Sequence, residues 1–295
     1  MKKSNFPKIK GNIIFNEPLF KHNTFRTGGN CSVWVEPKGE EDLREVLAYA
    51  GLHKKKIFVI GSGSNVLFKD KGFSGIVVKL GKGFKKINFS GGDVVAGGAV
   101  GLPFLVNASC RRGLAGMEAL VGIPGTVGGA IFMNAGSAGR WMSDLFSAIK
   151  VIDMASGVMR YLTKDEVNFS YRKSNLNKYI VVEAAFRLKK APSLKLVKQK
   201  NKLLALKRKK QPLSAQSAGC FFKNPAGKMT AAQYIERLGL KGRRFGKAEI
   251  SNKHANFIVG TRGVKTKDIM RLAGLAKRMV KSHFKVDLVP EITIL

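Results

Sequence analysis

Acidic side chains are scarce in this chain. Nineteen Asp and Glu stand against 53 Lys and Arg, leaving a net charge of +34 over 295 residues. On charge alone a nucleic-acid binder comes first. The basic residues, however, are spread along the chain with one dense run at 195–210, and no zinc-finger, RNP or helix-turn-helix signature accompanies them. Specific nucleic-acid binding is therefore not expected. An enzyme for polyanionic nucleotides would profit from the same field, and a generally basic proteome would produce it with no function attached. Cysteine and histidine are scarce too. Cys31, Cys110 and Cys220 are odd in number and far apart, and His22, His53, His254 and His283 are as scattered, which excludes a disulfide framework and metal-ligand spacing. The first residues, Met1-Lys-Lys-Ser-Asn-Phe-Pro-Lys8, have no apolar segment after their basic ones and no small-residue cleavage site, so a secretory signal is not supported and a cytoplasmic protein is expected.

Long uncharged runs are few as well, and the longest is at residues 119–139. Its 21 residues have the length of a membrane span, but six glycines, Pro124, Asn134 and the flanking charges Glu118 and Arg140 argue against one. Glycines at 122, 125, 128 and 129 allow left-handed turns and let backbone N–H groups approach a bulky ligand where a Cβ would intrude. A buried neutral loop that binds a large flat cofactor fits this pattern, and a tight glycine-rich corner in a β-rich core is the alternative.

What is present is an ordinary folding composition, with 44% hydrophobic and 9% aromatic residues. Asn23-Thr-Phe-Arg-Thr-Gly-Gly29 reads as a loop feeding a strand at 31–35. Leu43, Val46, Leu47 and Ala50 mark an amphipathic helix that stops at Gly51. The strand Ile57-Phe-Val-Ile60 then runs into Gly61-Ser62-Gly63-Ser64-Asn65-Val66-Leu67, the order expected of a phosphate-cradling turn. It is neither a Walker A motif nor a full dinucleotide fingerprint, since Val66 stands where the third glycine would be; a plain Gly/Ser turn is the competing reading. Short strands follow at 75–80, 93–96, 148–152, 158–162 and 179–188, with a helix ending near Gly113. Residues 20–190 thus predict an α+β arrangement. Ala191-Pro-Ser193 is the expected domain boundary. After it, Leu196 and Leu203, and Val197 and Leu204, give a lysine-rich helix a narrow apolar stripe, stopped by Gln211-Pro212. The last hundred residues predict a second, smaller α+β domain: a helix with a Thr230/Gln233 capping box, two short strands within 247–259, and a final helix carrying Ile269, Leu272, Ala273, Ala276, Met279 and Val280 on one face.

Taken together, the segments 23–29, 61–67, 113–136, Phe169-Ser-Tyr-Arg-Lys-Ser174, Ser217-Ala-Gly-Cys-Phe-Phe-Lys-Asn-Pro225, Lys253-His-Ala-Asn-Phe-Ile-Val259 (with His254) and Pro290-Glu291 stand in the order and spacing of one family. From about residue 20 to its end the chain resembles the UDP-N-acetylenolpyruvoylglucosamine reductases, in their shorter subtype without a tyrosine-bearing insertion. The resemblance implies an α+β fold: an FAD-binding domain of the p-cresol methylhydroxylase/vanillyl-alcohol oxidase type, with subdomains at 1–80 and 81–190, and a C-terminal substrate-binding domain at 191–295. It implies non-covalent FAD, NADPH as co-substrate, a UDP-sugar substrate, no membrane span and a monomer. Gly61, Ser62, Gly63, Ser64, Asn65, Val66 and Leu67 would take the cofactor's diphosphate. Gly122, Ile123, Pro124, Gly125, Thr126, Gly129 and Ala130 would pack along the flavin. Reduction of the enolpyruvyl group builds charge on the α-carbon and its carboxylate. By motif match Arg172 and Glu291 would stabilise that charge, Glu291 only if protonated, and Cys220 would give the proton. Tyr171, Lys223 and Asn224 would hold substrate.

Three departures from the family stand out. Cys220 replaces the commoner serine; an ordinary thiol, with a pKa near ~8.5, is the stronger acid and can donate while it stays protonated, whereas nearby cations could leave an ineffective thiolate. Gly260 follows Phe-Ile-Val where asparagine is usual, and Ser137-Ala-Gly-Arg-Trp141 lacks the usual tyrosine and glutamate. An FAD oxidase of small alcohols or sugars on the same scaffold is the competing function, but it would have no reason to carry the 217–225 motif.

Overall fold

The computed structural model describes residues 6–295. The chain forms two compact units. The first holds Ser32–Ser62 and Ser74–Ala205 with the segment up to Glu17; the second holds Pro18–Cys31, Gly63–Phe73 and Leu206–Leu295.

In the first unit, Val33 and Val35 of strand Asn30–Glu36 and Ile76 and Val78 of strand Phe73–Val78 pack with the helix Glu40–Leu52, burying its Leu43, Val46, Leu47 and Ala50. Those strands lie inside a four-stranded sheet, between the outer strands Asn12–Pro18 and Ile57–Val59. Glu40, Glu41 and Asp42 in the helix's first turn complement its positive end. A second sheet of five strands runs in the order Met159–Thr163, Phe146–Asp153, Tyr179–Arg187, Asp93–Gly97, Ile87–Ser90, with every pairing antiparallel. Helices Leu102–Arg111 and Val127–Phe132 cover it, burying Leu105, Val106, Val127 and Ile131 with Val94, Ala184 and Phe186.

The lysine-rich helix runs Ser193–Lys210. Its expected stripe is the part that packs: Leu196 is buried, and Val197, Leu203 and Leu204 lie against the core of the five-stranded sheet. Lys200 Nζ also donates to Asn107 Oδ1 at 2.7 Å. This packing carries the compact unit on to Ala205, past the composition break at 191–193.

The second unit is built on helix Thr266–Phe284, which buries Ile269, Leu272, Ala273, Ala276 and Val280 as its periodicity predicts. The small sheet Arg244–Phe245, Ala248–Ile250, Ile258–Gly260 and helix Ala231–Arg237 share its core. Thr230 and Gln233 form the expected reciprocal cap: Gln233 N–H donates to Thr230 Oγ1 at 3.3 Å and Thr230 N–H to Gln233 Oε1 at 2.7 Å. Val66–Leu67 pairs in parallel with Thr293–Ile294, and this draws the second half of the first glycine loop into the unit.

Among the described residues no helix is long and apolar enough to cross a membrane. The uncharged stretch folds instead as a 3-10 turn at Glu118–Leu120, the helix Val127–Phe132 and a strand from Gly136.

Candidate active site

The strand Ile57–Val59 ends at the first glycine loop. Gly63 is buried with φ +66°, and a Cβ there would fall on the His22 carbonyl and 2.6 Å from Asn23 Cα. Thr24 N–H donates to the Gly63 carbonyl at 3.1 Å. Asn23 shapes that support: its Nδ2 donates to the carbonyls of Leu19 and Thr27 at 2.7 and 2.8 Å, and its Oδ1 accepts Thr27 N–H at 3.3 Å. The polar segment 23–29 is thus the buttress of the glycine loop in the second unit.

In the first unit, Gly61 meets the other glycine motif. A Cβ on Gly61 would come within 2.5 Å of Thr126 Oγ1. Thr126 caps Val127–Phe132, its Oγ1 accepting Gly129 N–H at 3.3 Å. The glycines of this second motif divide their work. Gly122 and Gly125 have φ of +76° and +130° and make the left-handed turns expected of them. Gly128 and Gly129 are helical instead, which corrects the reading of the whole stretch as loop. At Gly128 a Cβ would sit 3.0 Å from the Val181 carbonyl oxygen and 3.1 Å from that of Gly98, so its absence lets the helix press onto sheet backbone. Gly129 is exposed, and a Cβ there would have only Thr126 Oγ1 at 3.4 Å as a neighbour. An uncharged surface of backbone and small side chains, with Gly61 close against Thr126, suits in its chemistry a flat neutral ring and a diphosphate held on backbone amides.

Arg172 stands in the two-residue turn of the hairpin Phe169–Ser170/Lys173–Ser174, with φ 54°, a left-handed conformation that few side chains other than Gly, Asn or Asp adopt. The hairpin is moored to the end of the glycine-rich helix: Ser174 Oγ donates to the Phe132 carbonyl at 2.7 Å and Asn134 Nδ2 to the Ser170 carbonyl at 3.2 Å. The structure therefore groups Gly61, Thr126 and the Arg172 hairpin in one unit. Tyr171, beside Arg172, is 41% exposed.

The second unit groups the remaining catalytic candidates. Phe222 bridges Pro290, Glu291 N–H donates to the Phe221 carbonyl at 2.8 Å, and Lys223 N–H donates to the Val289 carbonyl at 2.8 Å. Half-buried Cys220 and Glu291, distant in sequence, stand on adjoining backbone segments. Asn65 ties the glycine loop to them, its Nδ2 donating to the Glu291 carbonyl at 3.3 Å and its own carbonyl accepting Thr293 N–H at 3.0 Å. Asn224 is exposed, and its Oδ1 accepts the N–H of Ala231 at 3.1 Å, so part of its side chain serves the next helix.

One residue of this site was not singled out by sequence reasoning. Asn256 is 2% exposed. Its Oδ1 accepts Phe222 N–H at 3.0 Å, its Nδ2 donates to the Phe222 carbonyl at 2.8 Å, and its backbone carbonyl accepts Phe221 N–H at 2.7 Å. Segment 221–223, directly after Cys220, is thus clamped between Asn256 and 289–291. The available signal was an amide between Ala255 and Phe257, since a buried polar side chain needs partners. His254 supports the clamp, its Nδ1 lying 3.3 Å from the Asn256 N–H that donates to it. Burial pushes the His254 pKa down, with a smaller opposing effect of Glu236. Its folded pKa lies below the unfolded value near ~6.5, so the unfolded chain binds the extra proton and stability falls as pH drops below about 6.5. The melting temperature should therefore fall more steeply below that pH in the parent than in His254→Gln; equal slopes would remove His254 from the account.

Comparison with known proteins gives the family. A family described as an FAD binding domain matches residues 31–163, and one described as the UDP-N-acetylenolpyruvoylglucosamine reductase C-terminal domain matches residues 211–295. UDP-N-acetylenolpyruvoylglucosamine reductase from Desulforamulus reducens is 40% identical over 97% of this chain and 95% of its own length; that from Bacillus subtilis is 34% identical over 97% and 94%. The crystal structure of the Thermus caldophilus reductase superposes with a TM-score of 0.83 at 32% identity, covering 97% of this chain and 99% of that one. With the glycine motifs, the Arg172 hairpin and the paired Cys220 and Glu291 segments all in place, the chain belongs to the UDP-N-acetylenolpyruvoylglucosamine reductase family.

Proposed function

We propose that this protein reduces the enolpyruvyl group of UDP-N-acetylglucosamine enolpyruvate to give UDP-N-acetylmuramate, with NADPH as reductant, in the cytoplasm and as a monomer. The product feeds peptidoglycan synthesis and, through it, cell-wall growth, shape and division. The observation that supports the reading is the bridge between Phe222 and Pro290, with its flanking backbone hydrogen bonds, which brings the segment that follows Cys220 beside the one that holds Glu291.

FAD, when bound, supplies the two-electron carrier between NADPH and the substrate. Residues 61–67 would hold its diphosphate on backbone amides, and Gly122, Ile123, Pro124, Gly125, Thr126, Gly129 and Ala130 would line its ring. Arg172 offers a fixed positive charge to the carboxylate on which negative charge grows. The Cys220 thiol gives its proton to the α-carbon, and Glu291 stabilises the developing charge only when protonated, as a hydrogen-bond donor. Tyr171, Lys223 and Asn224 hold the sugar nucleotide. In this scheme residues 1–80 and 81–190 serve the cofactor and 191–295 the substrate.

The purified protein should be yellow, and dilute denaturing detergent should release the colour as free FAD. A colourless protein that also fails to take up added FAD would overturn the scheme.

A further inference from the structure

We infer that Trp141 is a positioning residue for Arg172, bracing the guanidinium in the orientation in which it meets substrate. The inference rests on the proposed role of Arg172. The Arg172 side chain crosses to a second hairpin, Gly136–Ser137/Arg140–Trp141, where Nη2 donates to the Gly136 carbonyl at 3.1 Å. The guanidinium carbon lies 5.1 Å from the centre of the Trp141 ring and 5.4 Å from that of Tyr171, and the two rings stand edge to face at 5.7 Å. Both distances fall within the range of cation–π attraction. An aromatic brace of this kind holds a guanidinium without cancelling its charge, which a carboxylate in the same place would do.

The brace is itself fixed. A Cβ on Gly136 would come within 2.6 Å of Trp141 Cδ2, so glycine at that position lets the indole lie against its own hairpin. Asp144 Oδ2 accepts the backbone N–H of Trp141 at 2.9 Å. Asn134 links the two sides of the contact: its Oδ1 accepts Ser143 N–H at 3.1 Å, next to Asp144, while its Nδ2 holds Ser170 in the Arg172 hairpin. A flexible arginine would have to be ordered at each turnover; one already stacked and hydrogen-bonded does not.

The test compares half-reactions of the FAD-loaded enzyme under anaerobic conditions. In Trp141→Ala, flavin bleaching by NADPH should stay within about twofold of the parent while the limiting rate of reoxidation by the enolpyruvyl substrate falls about tenfold, within the range set by one cation–π contact. Trp141→Phe, which keeps an aromatic face, should recover most of that loss. Fluorescence gives a reading independent of turnover. Of the two tryptophans, Trp34 is fully buried, so adding the UDP-sugar product to the loaded enzyme should perturb the emission of Trp141, and the change should vanish in Trp141→Phe. Reoxidation of Trp141→Ala at the parental rate, or equal losses in both half-reactions that Trp141→Phe does not repair, would overturn the inference. Arg172→Ala in the same assay separates the failures. If it slows reoxidation and Trp141→Ala does not, only the inference falls; if neither slows it, the role of Arg172 falls as well.

Discussion

Cys220→Ala should leave anaerobic flavin bleaching by NADPH almost intact and slow reoxidation by the enolpyruvyl substrate by at least about a hundredfold, the low end for general acid catalysis. The asymmetry follows from what each half-reaction asks. Flavin reduction needs no proton donor at this position, whereas product formation needs one at the α-carbon. The structure makes the comparison clean, because the backbone at 221–223, next to Cys220, is held by Asn256 and 289–291 through bonds that do not involve the Cys220 side chain. Cys220→Ser should keep substantial activity and resist peroxide better than the parent, since the hydroxyl does not enter the oxidation series open to a thiol. Parental reoxidation in the alanine variant would make Cys220 a bystander, and the donor would then be sought first at Glu291 or an ordered water.

Two glycine substitutions should separate folding from cofactor binding. In Gly63→Ala the new methyl meets the His22 carbonyl and Asn23 at a backbone φ of +66°. The left-handed conformation alone costs an L-residue roughly 1–2 kcal/mol, and overpacking against backbone adds roughly 1–3 kcal/mol. We expect a melting temperature lower by roughly 5–10 °C and most of the FAD lost. Gly129→Ala is the opposite case. Gly129 is helical and exposed, and alanine there should raise the stability of the cofactor-free protein by up to about 1 kcal/mol through helix propensity. If its open face lies along the flavin, the same methyl should weaken FAD binding at least about tenfold. Thermal melts of the cofactor-free protein and FAD titrations read the two effects separately. Unchanged FAD affinity in Gly129→Ala would take this residue out of the cofactor site.

Much of this protein was legible without coordinates, for reasons that are local. The helix Glu40–Leu52 follows from the spacing of Leu43, Val46, Leu47 and Ala50, the start of Ala231–Arg237 from the Thr230/Gln233 pair, and the buried face of Thr266–Phe284 from its periodicity. The motifs that place the chain in its family are likewise short and contiguous. The glycine-rich stretch misled in part, because two adjacent glycines argue against a helix by about 1 kcal/mol each. Packing overrode that cost: Gly128 lies where any Cβ would crowd the Val181 and Gly98 carbonyls, and Thr126 caps the turn.

The sequence alone thus determined the family and several of the helices, together with the residue types that its motifs offer, since periodicity, caps and motifs reside in neighbouring residues. Only the tertiary structure decided what those segments touch. It set 221–223 against 289–291 with Asn256 as the clamp, placed Asn23 and Thr24 beneath Gly63, and brought Trp141 over Arg172. Such contacts join residues far apart in the chain. No local pattern encodes them, because they depend on how the sheets and helices pack.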